Sequence, residues 1–171
     1  NAFVACLGTL AESLLTRGHT DCEEKEVEAV CRLLARLLDG PESRGIPESL
    51  RGHCADAVSK ILLWHPTHHE VQVNAQWALA QLVGIQQTLR VVQPLFSNSP
   101  IAVSAFLWTA TDTEDELDWE SQKVLLVEAV QILANRERPA DIDVQRRCFD
   151  LIARRLSADA ALGSPSDEME R

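Results

Sequence analysis

Residues 71–85 read VQVNAQWALAQLVGI, and this stretch decides the fold of the chain. Its small and apolar residues recur at the spacing i, i+4, i+7, i+8, i+11, which is typical of a helix with one buried side. The members of this row are Val71, Ala75, Ala78, Leu79 and Leu82. The two alanines predict close approach of another helix, and Gly84 stands where a helix end favours a left-handed residue. The stretch therefore predicts a helix packed among other helices.

The composition predicts an all-α protein. At 171 residues the chain is long enough for one domain with a substantial core. Hydrophobic residues make up 46% and charged residues 25%, which is ordinary for a folded domain. Tyrosine is absent, and the residues that dominate are good helix formers. We expect a single helical-repeat domain over residues 1–162 and a disordered acidic tail over residues 163–171.

The net charge of −10 and the pI near 4.9 limit the partners. Because contacts to phosphates supply most nucleic-acid affinity, we expect no direct binding to nucleic acid or to a membrane surface. The one basic cluster comprises Arg146, Arg147, Arg154 and Arg155, and its helix also carries Asp143 and Asp150. No apolar run approaches the length of a membrane span. The expected partner is another protein.

Five cysteines occur, an odd number without a C-x-x-C spacing. This pattern favours reduced and mostly packed thiols over a disulfide framework. It predicts an intracellular protein, cytoplasmic or nuclear.

Glycine and proline residues divide the chain into about eight predicted helices. Two starts carry a capping box, Thr20 with Glu23 and Thr67 with Glu70. The predicted helices cover residues 2–16, 20–38, 47–64, 67–83, 85–96, 101–109, 119–135 and 142–156.

A degenerate internal repeat relates several of these helices. Val144, Cys148 and Leu151 align with Val71, Ala75 and Ala78. Ile101, Ala105 and Trp108 are predicted to occupy the same three positions of another unit. Each unit thus offers small or apolar residues at the same helical phase, which favours a stack of similar helical units.

The segment AQWALAQL, residues 75–82, resembles the third-helix pattern A-x-W-A-L-x-N-L of armadillo repeats. Residues 67–71 and 140–144 are similar to the turn before the second helix of a HEAT repeat. The resemblance implies a right-handed α-solenoid of about eight helices with a groove for a protein partner. It departs from the armadillo pattern at Gln81, where that pattern has the asparagine that holds a ligand backbone.

No sequence motif for catalysis is present, so we expect no enzymatic activity and no cofactor. A nucleophile elbow, a phosphate-binding glycine loop and an H-E-x-x-H motif are all absent. His65, His68 and His69 form the one metal-like cluster, with His53 one helix earlier. Zinc needs three or four convergent ligands, and we interpret these histidines as ordinary turn residues with no metal site.

The predicted partner-binding residues are Asn74, Trp77, Gln81, Arg147 and Arg154. Asn74, Trp77 and Gln81 share a helical face that is offset from the buried row. A partner peptide or helix on this face would be anchored by Trp77, and its acidic groups would reach the arginines. The plainer interpretation of Trp77 is packing against a neighbouring repeat. The alternative function is a structural capping or homodimerisation segment of a larger helical-repeat protein.

Overall fold

The computed structural model describes residues 2–17, 24–110, 117–135 and 142–162. All regular structure in these ranges is helical, which confirms the predicted all-α class. Short 3-10 helices follow α2 and α5, at Pro41–Gly45 and Gln93–Leu95. The described α-helices are α1 Ala2–Arg17, α2 Glu24–Leu38, α3 Glu48–Trp64, α4 His69–Val83, α5 Ile85–Val92, α6 Pro100–Thr109, α7 Trp119–Ala134 and α8 Ile142–Leu162.

The chain divides into two compact units, residues 1–122 and residues 123–171. The first holds α1 to α6 and the start of α7, and the second holds the rest of α7 and α8. The single domain expected over residues 1–162 stays a prediction. The expected disordered tail at residues 163–171 lies outside the described residues.

In the first unit, helices pack both in consecutive pairs and in alternate order. The consecutive helices in contact are α1 with α2, α3 with α4, α4 with α5, and α5 with α6. In addition α1 packs on α3 and α3 on α5, while α2 packs on α4 and α4 on α6. Helix α4 therefore lies at the centre of this unit, where α2, α3, α5 and α6 all contact it.

The buried side of α4 is the one predicted from its spacing. Val71, Ala75 and Ala78 are fully buried, and Leu79 and Leu82 are nearly so. Helix α2 repeats the same spacing with its own buried row, Val27, Cys31, Leu34, Ala35 and Leu38. The two helices thus bury equivalent sides and pack against each other.

Leu33, Val127 and Val130 are large apolar residues that are exposed. Leu33 lies beside the buried row of α2 rather than within it. A helix buries only a stripe of its surface, so apolar residues just outside the stripe remain in contact with solvent.

The predicted repeat register of α6 matches residues of unlike burial at one position. It aligned Trp108 with Ala78, but Ala78 is fully buried and Trp108 is 40% exposed. Almost all of α6 is buried, and Ala102, Phe106 and Thr109, with Ala110 after the helix, have the spacing of the start of the α4 row. In this register Trp108 corresponds to Trp77.

The start of α4 also differs from its prediction, because His68 rather than Thr67 caps the helix. The helix begins at His69, and His68 Nδ1 accepts a hydrogen bond of 3.3 Å from the backbone N–H of Val71. Glu70 lies 3.4 Å from His69 Nδ1. The capping box predicted at Thr20 and Glu23 lies outside the described residues.

Gly84 ends α4 with a φ of 83°, as the sequence predicted. This is a backbone conformation that side chains with a Cβ disfavour. Arg51 of α3 donates hydrogen bonds to the carbonyl oxygens of Leu82, at 3.2 Å, and of Ser43, at 3.3 Å. Its charge complements the negative end of the α4 dipole.

Three of the cysteines are buried, as predicted. Burial raises the pKa of the Cys31 thiol to about 12 and that of Cys148 to about 11, and it also raises the pKa of Cys54. Cys6 is exposed, whereas Cys22 lies outside the described residues. The buried thiols are therefore protonated at neutral pH and act as small apolar groups.

No helix in the described ranges combines the length and the apolar character that crossing a membrane requires.

Candidate functional site

Two indole rings meet on adjacent helices of the first unit. Trp77 of α4 and Trp108 of α6 have ring centroids 5.5 Å apart, with their planes inclined by 59°. This is a tilted arrangement of the kind that aromatic pairs prefer. Trp77 is half-buried and Trp108 is exposed, so the pair presents aromatic surface to solvent.

The two rings form one side of a pocket of about 180 Å³. Helix α2 and the residue after it form the other side, so three helices contribute to the same pocket. We call this feature the Trp77–Trp108 pocket; it is lined by Ala35, Arg36, Asp39, Val73, Asn74, Trp77 and Trp108.

The rim of the Trp77–Trp108 pocket carries both signs of charge. Arg36 and Asp39 are exposed. In the part of the chain that the structure describes, neither side chain is engaged in an ion pair. Both groups can therefore pair with charged groups of a ligand without first breaking an internal ion pair.

Asn74 adds a polar group to the pocket wall. Its Nδ2 donates a hydrogen bond of 2.7 Å to the carbonyl oxygen of Glu70, one turn earlier on α4. This bond fixes the amide group and leaves the side-chain oxygen as an acceptor for a ligand N–H.

A buried pair of glutamines holds the helices beneath the pocket. Gln72 Nε2 donates to the carbonyl oxygens of Leu62 and His65, both at 2.9 Å. Gln76 Nε2 donates to Gln72 Oε1 at 2.9 Å and to the carbonyl oxygen of Ala102 at 3.1 Å. This network joins α3, α4 and α6 and thereby fixes the positions of the helices that carry the indoles.

Of the predicted site residues, the structure brings Asn74 and Trp77 into the pocket wall. Gln81 is exposed and does not line the pocket, and its carbonyl oxygen lies 3.4 Å from Arg51 Nη1. The structure contains a feature that corresponds to each of the two interpretations of Trp77: the ring packs against Trp108 of α6, and it also lines the pocket.

The other two predicted residues, Arg147 and Arg154, lie on α8 in the second unit. Arg147 is half-buried, and Arg154 is exposed with its Nε donating to the carbonyl oxygen of Asp150 at 3.3 Å. Their role in binding stays a prediction.

Five of the seven lining residues were not predicted as site residues from the sequence: Ala35, Arg36, Asp39, Val73 and Trp108. A register shifted by one residue would have matched Trp108 with Trp77. Arg36 and Asp39 carried no such signal, because they reach the pocket only through the packing of α2 on α4.

The histidines of the predicted metal-like cluster have separate surroundings. His68 caps α4, His65 is buried, and His53 Nε2 lies 3.0 Å from Glu12 Oε1. Within the described ranges, no group of three or more metal-ligating side chains converges.

Comparison of the chain with protein-family models, with curated protein sequences and with solved structures returned no match.

Proposed function

We propose that this chain is a protein-interaction module that binds a partner peptide or helix on the surface formed by α2, α4 and α6. The observation that carries this proposal is the Trp77–Trp108 pocket, where two indoles stand beside Arg36 and Asp39. Tryptophan and arginine are enriched among the residues that dominate binding energy in protein interfaces.

The packing of the first unit supports an armadillo/HEAT-like arrangement of stacked helical hairpins. Consecutive helices pair, odd-numbered helices pack on odd-numbered ones, and even-numbered helices pack on even-numbered ones. This is the contact pattern of repeats that each touch only their neighbours. In such a stack α2, α4 and α6 form one continuous layer, and the armadillo resemblance of residues 75–82 implies a right-handed turn.

The chemistry of the pocket favours one large anchor residue from the partner. An apolar or aromatic side chain could enter between α2 and the two rings of Trp77 and Trp108, where burial of apolar area stabilises the complex. Asn74 could accept a hydrogen bond from the partner backbone, while Arg36 and Asp39 select its flanking charges. Because the glutamine network fixes the helices, binding requires little reorganisation.

Cys31, Cys54 and Cys148 are buried free thiols, which supports placing the module in a reducing compartment, cytoplasmic or nuclear. The described residues that line the pocket supply two indoles, an amide and one charged group of each sign, a set of groups that suits binding of a protein partner.

Affinity capture with the whole chain, followed by mass spectrometry, tests this proposal. The capture is repeated with Trp77→Ala and Trp108→Ala, and with Trp64→Ala as the matched control. Trp64 is 42% exposed, close to the 40% of Trp108, but it does not line the pocket.

We expect the two pocket variants to weaken capture of a common partner by about 2 kcal/mol, roughly thirtyfold, and the control to retain it. Circular dichroism establishes that each variant is folded. Undiminished capture by folded Trp77→Ala and Trp108→Ala would exclude the pocket as the binding surface.

A further inference from the structure

The solvent side of α8 carries a row of large apolar residues, Ile142, Phe149 and Leu156. They are 80%, 59% and 66% exposed, respectively. A spacing of seven residues is two helical turns, so all three lie on one side of the helix, which we call the α8 stripe. Cys148 and Leu151, on the other side of α8, are buried. Helix α8 therefore has apolar residues on a second side, and the part of the chain that the structure describes leaves the α8 stripe exposed.

The spacing of the α8 stripe is that of a helix–helix interface. Residues repeated every seven positions are the core positions of coiled coils, in which each side chain packs into a space on the facing helix. Three aligned large apolar residues are also more than the scattered single ones that ordinary surfaces carry. The occupant expected on this side is therefore another helix.

The α8 stripe is symmetric about Phe149, with Ile142 and Leu156 two turns away on either side. If a second α8 crosses in the antiparallel direction at Phe149, each Ile142 lies opposite Leu156 of the second copy. The two Phe149 rings then meet at the centre. Such a two-fold arrangement uses the same surface on both copies, as most homodimers do.

The charges beside the α8 stripe are complementary in the same arrangement. Arg146 and Asp150 are both exposed and lie on the same flank of the stripe, one turn apart. In an antiparallel pair that flank faces its own equivalent, so Arg146 of one copy lies beside Asp150 of the other. In a parallel two-fold pair this flank would face the opposite flank of the second copy, so Arg146 and Asp150 would not meet across the contact.

We propose that this chain self-associates through the α8 stripe, as an antiparallel pair of α8 helices centred on Phe149. A single helix surface is small compared with a standard interface, and each copy carries a net charge of −10. The dimer is therefore weak, with a dissociation constant in the range of about 1 to 100 µM. The α8 stripe shares no residue with the Trp77–Trp108 pocket. An experiment that excludes the dimer therefore leaves the proposed function untouched, and the reverse also holds.

Sedimentation velocity on the whole chain over a concentration series tests the association. Phe149→Glu is expected to raise the dissociation constant at least about tenfold, because it places two carboxylates at the centre of the contact. Leu63→Glu on α3 is the matched control, since Leu63 is 51% exposed and belongs to the first unit. A wild-type chain that stays monomeric up to about 200 µM overturns the proposal. Equal association of the wild type and a folded Phe149→Glu variant also overturns it.

Cysteine cross-linking tests the antiparallel direction, in a background where Cys6 and Cys22 are replaced by serine. Phe149→Cys is expected to form a disulfide-linked dimer on mild oxidation. Ile142→Cys alone is expected not to do so, whereas a mixture of Ile142→Cys and Leu156→Cys is expected to form the mixed dimer. Efficient self-linking of Ile142→Cys would mean a parallel pair and would overturn the proposed arrangement.

Discussion

The side-chain amide of Gln76 donates a hydrogen bond of 2.9 Å to the side-chain oxygen of Gln72, one turn away on α4, and both residues are fully buried. Each amide nitrogen also reaches a backbone carbonyl of another helix, Leu62 for Gln72 and Ala102 for Gln76. Two polar side chains thus lie in the centre of the first unit, where an unpaired polar group is costly.

Replacement of Gln76 by leucine is therefore expected to destabilise the protein. The change leaves Gln72 Oε1 and the carbonyl oxygen of Ala102 without this donor, at a cost of about 1–3 kcal/mol. Urea denaturation followed by circular dichroism measures the loss. Gln81→Leu, on the exposed side of the same helix, is the control and is expected to change stability by less than about 0.5 kcal/mol. Equal stability of the two variants would show that the network contributes nothing.

Ala75 is fully buried on α4, which is packed on both sides by neighbouring helices. Ala75→Leu is expected to overpack this contact and to lower the free energy of unfolding by about 1–3 kcal/mol. Ala29→Leu, at an exposed position of α2, serves as the control and is expected to be close to neutral. An unchanged melting temperature for Ala75→Leu would contradict the close approach of helices at this position.

Asp118 caps the start of α7, where its Oδ1 accepts a hydrogen bond of 2.8 Å from the backbone N–H of Ser121. This bond, the hydroxyl of Ser121 and, to a smaller extent, Arg90 hold the pKa of Asp118 below its ordinary value. A lowered folded-state pKa contributes stability that is present above the ordinary pKa of aspartate, about 4, and is lost as the pH falls below it.

The wild type loses stability in acid in part because Asp118 becomes protonated. Asp118→Asn is therefore expected to lose less stability between neutral and acidic pH, because asparagine keeps an acceptor oxygen but does not titrate. Thermal melts of both proteins between about pH 3 and pH 7 measure the difference. Identical pH dependence in the wild type and the variant would contradict the role assigned to this carboxylate.

Thiol reactivity should separate Cys6 from the buried cysteines. With the pKa of Cys31 near 12 and that of Cys148 near 11, almost no reactive thiolate exists at these positions at neutral pH. Alkylation of the native protein with iodoacetamide, followed by peptide mapping, is expected to modify Cys6 well before Cys31, Cys54 and Cys148. All of them should react once the protein is denatured. Rapid native labelling of Cys31 would show that α2 opens readily.

The positions of the helices were predictable from the sequence, because local spacing and end signals determine them. The row from Val71 to Leu82 recurs at the helical period, and Gly84 marks the end of α4. Burial of Ala75 and Ala78 followed from the same row. These features depend on residues within one helix or next to it, so a single segment contains the information.

Tertiary packing alone decided which polar residues are buried and which apolar residues are exposed. Gln72 and Gln76 are polar and lie outside the apolar row of α4. They are buried because α3 and α6 supply carbonyl partners for their amide nitrogens. Leu33, Val127 and Val130 are apolar but exposed, although each lies on a helix that also carries buried residues.

The residues of the pocket also divide into those that the sequence indicated and those that only the packing of helices brought in. Trp77 was recognisable from its own helix, whereas Trp108, Arg36 and Asp39 join it only because α6 and α2 pack on α4. Contacts between residues far apart in the chain depend on how whole helices are positioned, and a one-residue change of register moves a side chain by about 100° around its helix. The sequence by itself therefore determined the helices and their buried sides, and the tertiary structure decided which side chains meet.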